Sequence, residues 1–439
     1  MPESIDSLIH AEWIIPVVPE NLVLENHCLA IQGGRIHDIL PSSSASQKYL
    51  SSHTVSLPGQ ALIPGLINAH THAAMALLRG LADDLPLMTW LNEHIWPAEG
   101  KWVNEEFVHD GSQLAIAEML LSGTTCFNDM YFFPDVTGRA ADTAGIRAVV
   151  GLIAIDFPTA WATDADAYLR KGLEVHDQFR GNGLIHTAFA PHAPYTVADG
   201  LLERTRVLAD ELEIPIHIHL HETNDEIVQG LQHHANRPMQ RLQELGLLSP
   251  SLVAVHMTHL EAGEIEQFAT SGGHVVHCPE SNLKLASGFC PVAQLIKAGV
   301  NVALGTDGAA SNNDLDMFSE MHTAALLAKG VAGDASAVPA AQALSMATIN
   351  GAKALGLAEE TGSLEIGKSA DLVAVDLNRL QTQPLYHPIS QLVYATGREQ
   401  VRHVWVAGRQ LVRDAELTTL DQSELLSRAV HWRNRIIPE

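Results

Sequence analysis

The chain is short of cysteine and of positive charge. Its four cysteines, Cys28, Cys126, Cys278 and Cys290, lie far apart and form no CxxC pair, which argues against a disulfide framework and a thiolate zinc site. Lysine and arginine number 26 against 51 aspartate and glutamate residues, a formal net charge of −25. So acidic a surface repels phosphate backbones and anionic lipid headgroups, and we expect neither a nucleic-acid partner nor a membrane partner.

Long apolar runs and an N-terminal targeting pattern are also missing. No uninterrupted apolar run approaches the ~18 residues of a membrane-spanning helix. No lysine or arginine precedes Arg35, so the N-terminus lacks the basic region of a secretory signal. Hydrophobic residues make up 46% of the chain and charged residues 18%, which is ordinary for globular proteins. We therefore expect a cytoplasmic, globular protein.

The middle of the 439-residue chain alternates strand-like and helix-like segments. A helix is predicted over residues 105–121, with Asn104 as its N-cap and Gly123 just past its end. Eight strand–helix units predict an α/β fold, a closed (β/α)8 barrel with a parallel sheet. The rival, an open doubly wound sheet, would carry a GxGxxG motif after its first strand, and none is present. The eight apolar runs are residues 61–67, 124–128, 147–153, 185–190, 216–220, 252–256, 274–278 and 301–304.

Both ends of the chain have the pattern of β structure. Gly33–Gly34 and Ala407–Gly408 each separate two short apolar runs, which predicts two hairpins. Residues 371–376 predict another strand, and the Ser-rich residues 41–46 predict a surface loop. We expect the two ends to pair into one small composite β-sandwich domain. The predicted division is residues 1–60 for its N-terminal part, 61–365 for the barrel and 366–439 for its C-terminal part.

Histidine is abundant, with 24 residues, and several stand at the ends of predicted barrel strands. Barrel enzymes place their chemistry at the C-terminal ends of the strands. His70 and His72 end the first strand two residues apart, so both side chains point into the barrel mouth. Two imidazoles at that spacing suit a divalent metal ion. Taken alone, such a pair is also compatible with two unrelated polar residues at a strand end.

The fifth strand strengthens the metal interpretation. It contains His217, His219 and His221 in alternation, followed by Glu222. We predict that His219 is a ligand and that its two histidine neighbours either pack in the interior or support the ligands. Glu222, three residues after His219, places a possible proton shuttle beside that ligand.

Further polar residues end other barrel strands. Asp307 follows the eighth strand, where it is either a loop-capping residue or an oxygen ligand. His256 ends the sixth strand, and His192 follows the fourth. Three strand ends together supply three nitrogens and one oxygen, which fits one Zn²⁺ or Fe²⁺ with room for a solvent ligand. The predicted ligands are His70, His72, His219 and Asp307.

Longer stretches around these residues resemble the amidohydrolase superfamily: residues 64–72 (PGLINAHTH), 219–222 (HLHE), 305–308 (GTDG) and 367–372 (GKSADL). The chain is most similar to the methylthioadenosine/S-adenosylhomocysteine deaminases of the chlorohydrolase-like branch. The finer match is carried by LRGLADD at 78–84, WL at 90–91, WPAE at 96–99, SNLKL at 281–285 and GAASNN at 308–313. Carbamate-bridged two-metal relatives have a lysine at the end of the fourth strand. None stands there, so one divalent ion per chain is expected, zinc first and iron as the alternative.

The resemblance implies a metal-dependent hydrolytic deaminase. Its expected reaction converts 5′-methylthioadenosine to the inosine analogue and ammonia, with S-adenosylhomocysteine and adenosine as further candidate substrates. Glu222 would protonate the ring nitrogen beside the attacked carbon. Asp307 would bind the metal ion and accept the water proton, and His256 would orient the attacking hydroxide.

The resemblance also implies a site for the nucleoside substrate. Glu99 would accept hydrogen bonds from the ribose diol, His192 would bond to the nucleoside, and Trp90 would form an apolar wall. Some relatives meet the homocysteine carboxylate with arginines after the third strand. Residues 151–166 contain none, so methylthioadenosine is the better supported substrate. Barrels of this type often pair, and a homo-oligomer is therefore expected.

Two other functions stay open. One is a deaminase of a free base such as guanine or a pterin, or a triazine chlorohydrolase, using the same site. Glu99 separates that possibility from the first, because a free base or a triazine has no ribose to bind. The other is a non-enzymatic scaffold of the same fold, against which the intact ligand set and Glu222 argue. The sequence does not choose between zinc and iron or rank the nucleosides.

Overall fold

The computed structural model describes residues 2–437, and that part of the chain contains sixteen β-strands. In chain order they are β1 (Glu3–Ile14), β2 (Leu24–Gln32), β3 (Arg35–Pro41), β4 (Tyr49–Pro64), β5 (Leu66–Thr71), β6 (Thr124–Asp129), β7 (Arg147–Ala154), β8 (Ile185–Pro191), β9 (Ile216–Leu220), β10 (Leu252–His256), β11 (His274–His277), β12 (Asn301–Leu304), β13 (Leu372–Asp376), β14 (Val401–Val406), β15 (Arg409–Arg413) and β16 (Glu416–Leu417).

The same residues form seventeen α-helices and four turns of 3₁₀ or π helix. The helices are α1 (Ser42–Lys48), α2 (Leu87–Thr89), α3 (Trp96–Trp102), α4 (Glu105–Leu121), α5 (Pro134–Ala144), α6 (Ala165–Phe179), α7 (Asp199–Leu212), α8 (Asn224–His234), α9 (Pro238–Glu244), α10 (Ala262–Ser271), α11 (Pro279–Lys284), α12 (Val292–Lys297), α13 (Met317–Ala332), α14 (Ala340–Met346), α15 (Ile349–Ala354), α16 (Pro388–Tyr394) and α17 (Gln422–Ile436). The 3₁₀ turns are Ala73–Leu78, Leu380–Thr382 and Arg398–Gln400, and Trp90–Ile95 is a π-helical turn. Among residues 2–437 no helix is long and apolar enough to cross a membrane.

Strands β5 to β12 form a barrel. Each of them pairs in parallel with the next in chain order. The gap between β12 and β5 is bridged just after β12, where Asp307 N–H donates to the carbonyl of His70 at 3.0 Å and Thr306 N–H donates to Asn68 Oδ1 at 2.9 Å. The predicted parallel barrel is confirmed, and its strand ends converge on one face as expected.

The expected first barrel strand over residues 61–67 is in fact two strands in two different sheets. Residues 61–64 end β4, and β5 begins at Leu66 and contains His70. Gly65 lies at the crossing. A Cβ there would stand 1.8 Å from Thr125 Oγ1, so only glycine lets the backbone pass this close to β6. The change of sheet was not predictable from hydrophobicity, because both sides of Gly65 are apolar.

The two chain ends share one continuous mixed sheet of eight strands, in the order β16-β15-β14-β13-β4-β1-β2-β3. The two predicted hairpins are β2–β3 and β14–β15, and both are confirmed. The loop predicted over residues 41–46 is wrong, because α1 occupies that region. Ala45 on α1 is buried against Leu8 and Cys28, and this packing overrides the weak helix preference of serine.

The barrel and the composite sheet are tightly joined. At the start of β7, buried Arg147 donates from Nε to Asp371 Oδ2 at 3.0 Å, and also bonds to Ser369. β4 runs through residue 60, and Trp432 of α17 donates to Asp110 on the barrel helix α4. The division at residues 60 and 365 stays a prediction.

Candidate active site

The four predicted metal ligands converge at the C-terminal face of the barrel. Their ligand atoms lie within 4.8 Å of one another. His70 Nε2 is 3.2 Å from His219 Nε2 and 3.3 Å from Asp307 Oδ1, and His72 Nε2 is 3.2 Å from that same oxygen. An ion with tetrahedral ligands at about 2.0–2.1 Å holds them about 3.3 Å apart. The spacing and the mix of three nitrogens and one oxygen fit a single divalent ion.

Hydrogen bonds orient the histidine rings of this group. His72 Nδ1 donates to the carbonyl of Met130 at 2.6 Å, and His219 Nδ1 donates to the carbonyl of His192 at 2.8 Å. Both bonds direct Nε2 toward the other ligands, and loss of the Nε2 proton makes that nitrogen available to a metal. Burial lowers the pKa of His219 well below its ordinary value, which favours the neutral ring that a ligand needs.

The Asp307 carboxylate is held by two hydroxyls and a backbone amide. Ser281 and Ser311 donate to Oδ2 at 2.6 and 2.9 Å, and Gly308 N–H donates to Oδ1 at 2.7 Å. Asp307 itself has φ +63°, a strained conformation of the kind that concentrates at functional sites. Burial opposes its charge, but the His70 and His72 hydrogen bonds hold the pKa of Asp307 well below its usual value.

Glu222 and His256 stand beside the ligand group. Glu222 Oε2 lies 3.9 Å from His256 Nε2, and both side chains are buried. His256 Nδ1 donates to Asn282 Oδ1 at 2.8 Å, so Nε2 is the nitrogen with a free lone pair. Burial raises the pKa of Glu222, which favours the protonated form that a general acid requires.

A cavity of about 230 Å³ adjoins these groups. Its ionisable lining residues are Glu99, Glu222, Asp307, Tyr131, Tyr195 and four histidines, and within the described chain no lysine or arginine lines it. The remaining wall is largely apolar and aromatic. It includes Trp90, Leu91, Ile95, Trp96, Phe132, Ile153, Ile155 and Phe157.

Glu99 on α3 is partly buried in this wall. Tyr131, just after β6, donates its hydroxyl to Glu99 Oε1 at 2.7 Å. Burial raises the pKa of Glu99 to about 7, and the Tyr131 hydrogen bond opposes the rise. Because Tyr131 occupies one oxygen of Glu99, the other oxygen is available to a bound molecule.

His192 and Trp90 complete the predicted substrate residues. His192 Nδ1 donates to Thr196 Oγ1 at 2.9 Å, while the Thr196 hydroxyl donates to the carbonyl of Ala193, so His192 Nε2 is an acceptor. Burial lowers the pKa of His192 to about 3 and keeps the ring neutral. Trp90 lies on the π-helical turn, its Nε1 donates to the carbonyl of Ala82, and its ring lines the cavity.

The structure thus gathers all nine predicted residues around one cavity, with His70 buried behind it. The roles assigned to them stay predictions. Sequence reasoning missed Tyr131 and the supporting Ser281, Asn282 and Ser311. The last three lie inside the stretches 281–285 and 308–313 that carried the family resemblance. Tyr131 follows the end of a barrel strand, and that position was its only sequence signal.

Comparison with known proteins agrees with this geometry. Residues 61–411 match the model of the amidohydrolase family. A 5-methylthioadenosine/S-adenosylhomocysteine deaminase of Teredinibacter turnerae is 55% identical, over 99% of this chain and 98% of that protein. The crystal structure of an adenosine deaminase from Xanthomonas campestris with bound zinc is 54% identical, with a TM-score of 0.98 over 99% of both chains.

A more distant structure shows the fold alone. It is the zinc complex of an atrazine chlorohydrolase from Arthrobacter aurescens, 22% identical with a TM-score of 0.90 over 97% of this chain and 99% of that one. The family model covers most of the chain, and the closely similar relative covers nearly all of it. The chain therefore belongs to the amidohydrolase family and, within it, to the methylthioadenosine/S-adenosylhomocysteine deaminases.

Proposed function

We propose that this chain is a metal-dependent hydrolytic deaminase that converts 5′-methylthioadenosine and water to the inosine analogue and ammonia. One observation carries the proposal. A single cavity presents the metal-ligand group with Glu222 and, in its wall, the partly buried carboxylate of Glu99. The first arrangement suits attack on an aminopurine, and the second suits a ribose diol. The names of the close relatives support the same reaction.

We propose one divalent ion per chain, held by the four-residue ligand group. Zinc is the first candidate because the Xanthomonas campestris structure contains it, and iron is the alternative. When bound, such an ion supplies hydroxide from water near neutral pH. The four ligand residues and the hydroxyls of Ser281 and Ser311 provide the fixed surroundings for it.

The remaining steps use side chains of this chain. Asp307 accepts one proton of the attacking water, and His256 orients the oxygen toward the carbon that carries the amino group. Glu222 gives its proton to the adjacent ring nitrogen, which draws electrons from that carbon. The proton on Asp307 then passes to the amino group, and ammonia leaves. The remaining hydroxyl proton returns to Glu222 as the carbonyl forms.

The substrate interactions follow from the cavity wall. The free oxygen of Glu99 accepts hydrogen bonds from the ribose hydroxyls, since a carboxylate accepts more than one. His192 accepts a hydrogen bond from the nucleoside, and Trp90 packs against it. The apolar residues and the absence of lysine and arginine from the described lining favour a methylthio group over a charged homocysteine tail at the 5′ position.

The test is ammonia release by the purified protein with methylthioadenosine, S-adenosylhomocysteine, adenosine, guanine and a chlorotriazine. We expect the highest kcat/KM with methylthioadenosine. Glu99→Ala should lower that value by at least about tenfold, because hydrogen bonds to a charged group contribute about 1.5–3 kcal/mol. Greater activity on guanine or the triazine, unaffected by Glu99→Ala, would replace this proposal with the free-base or triazine alternative.

The control for Glu99→Ala is a change of substrate. The 2′-deoxy analogue lacks one hydroxyl, so it should react poorly with the unaltered protein and lose less on Glu99→Ala. Equal losses for ribosyl and non-ribosyl substrates would instead indicate damage to the fold. The cytoplasmic location and the homo-oligomeric state stay predictions from the sequence.

A further inference from the structure

Glu226, on helix α8, is a buried carboxylate with no assigned role. Its two oxygens accept the backbone N–H groups of His221, at 3.0 Å, and of Glu222, at 2.8 Å. We propose that Glu226 is a positioning residue, which fixes the backbone of Glu222 so that the Glu222 carboxyl reaches the substrate. The proposal rests on the proposed function, in which Glu222 transfers the proton.

The segment that Glu226 holds, residues 221–222, is a sharp turn at the end of β9. His221 has φ +53°, a left-handed conformation that costs energy for a residue with a side chain. The carbonyls of the turn have a different partner. Thr258 Oγ1 lies 2.9 Å from the carbonyl oxygen of His221 and 2.7 Å from that of Glu222. Glu226 and Thr258 therefore fix both peptide groups that determine where Glu222 points.

Helix capping does not explain the Glu226 carboxylate. The N-cap of α8 is Thr223, whose hydroxyl already accepts a hydrogen bond from Glu226 N–H at 3.3 Å. The Glu226 side chain reaches instead beyond its own helix to the end of the strand. Burial raises the pKa of Glu226, and the two backbone N–H donors oppose that rise. Burial of a carboxyl group costs free energy. The two hydrogen bonds to the turn at the end of β9 give a reason for Glu226 to be buried there.

An isosteric substitution of Glu226 should disrupt its hydrogen bonds to the turn. Two N–H donors converge on Glu226, and both oxygens of a carboxyl group carry lone pairs that can accept. An amide accepts on one atom only and directs an NH₂ group at the other donor. Glu226→Gln therefore keeps the volume of the side chain but breaks one of the two contacts, and the turn can then relax.

The test is a double-mutant cycle on methylthioadenosine deamination. Glu226→Gln should lower kcat by about tenfold or more, with KM and metal content within about twofold. In a Glu222→Gln background the same substitution should lower kcat by less than about twofold, because the group that it positions is already lost. Asp316→Asn makes the same carboxylate-to-amide change at a buried helix cap away from this turn and should leave kcat unchanged.

Thr258→Val is the second probe, in case Glu226→Gln does not fold. It removes the hydroxyl that contacts the carbonyls of the turn and should show the same dependence on Glu222, whereas Thr258→Ser should restore kcat. Equal losses in both Glu222 backgrounds would overturn this proposal alone. Wild-type kcat for Glu222→Gln would overturn the acid role of Glu222 itself, and this proposal with it.

Discussion

At the scale of single residues, substitution of Glu222 separates the proton-transfer step from metal binding. Glu222→Gln keeps the shape of the side chain but cannot supply the proton. We expect metal content to stay near one ion per chain while kcat for methylthioadenosine falls about 10² to 10⁴-fold. Metal analysis and steady-state kinetics on one preparation measure both quantities. A loss of less than about tenfold would mean that Glu222 is structural.

Glu99 predicts a pH dependence of substrate binding. Burial raises its pKa to about 7, and only the ionised carboxylate accepts hydrogen bonds on both oxygens. KM for methylthioadenosine should therefore rise as the pH falls through 7. Tyr131→Phe removes a donor that lowers this pKa, so the rise should begin at a higher pH. A KM profile that is identical in the two proteins would contradict the role of the Tyr131–Glu99 pair.

The convergence of the metal-ligand group with Glu222 and His256 could be predicted because these residues lie at or just after strand ends, which meet on one face of a barrel. Glu99 and Trp90 lie on α3 and the π-helical turn, and only the family resemblance pointed to them. The contacts that support these residues could not be predicted. Tyr131 reaches Glu99 across the cavity, and Glu226 turns back onto its own strand end. Both contacts depend on side-chain directions that only the packed structure determines.

At the scale of single elements, helix α11 supports two parts of the site at once. Ser281 donates to Asp307, and the adjacent Asn282 accepts from His256. We expect Ser281→Ala to weaken metal affinity by about 10–100-fold, as is usual for groups that orient a ligand. Competition with a chelator measures this. Ser345→Ala, which removes a hydroxyl bonded to its own helix α14, should leave affinity unchanged. Equal affinities for the two variants would contradict the supporting role of Ser281.

The elements differ in how far the sequence determines them. Helix α4 agrees with its predicted bounds, and Asn104 Oδ1 accepts from Phe107 N–H as an N-cap should. Helix α1 and the division of the first strand were missed. In both cases the outcome depends on tertiary packing, through buried Ala45 and the close approach at Gly65, rather than on the local pattern.

At the scale of the whole molecule, the ion pair between Arg147 and Asp371 joins the barrel to the composite sheet. Both side chains are almost fully buried. Arg147→Met leaves a buried carboxylate without its partner and should lower the free energy of unfolding by about 3–5 kcal/mol. Urea unfolding measures the change. Arg170→Met removes an exposed helix pair with Glu174 and should cost less than about 1 kcal/mol. Equal changes for the two variants would contradict the role of Arg147 in joining the domains.

The overall architecture could be predicted because alternating elements imply a barrel and β-rich ends imply a second sheet. The boundaries between these parts, at residues 60 and 365, stay predictions. Strand β4 passes from residue 49 to residue 64 without a break, and α17 returns to pack on the barrel helix α4. The linear pattern of the sequence does not predict such crossings, because they depend on tertiary packing.

The central claim is that one divalent ion, held by the three histidines and Asp307, is required for methylthioadenosine deamination. Its most direct test is to remove the metal with a chelator and return zinc stepwise, measuring bound zinc and ammonia release on the same samples. We predict that activity rises in proportion to bound zinc and reaches its maximum at one ion per chain, and that His219→Ala abolishes both. Full activity in chelator-treated protein without a bound ion would contradict the claim.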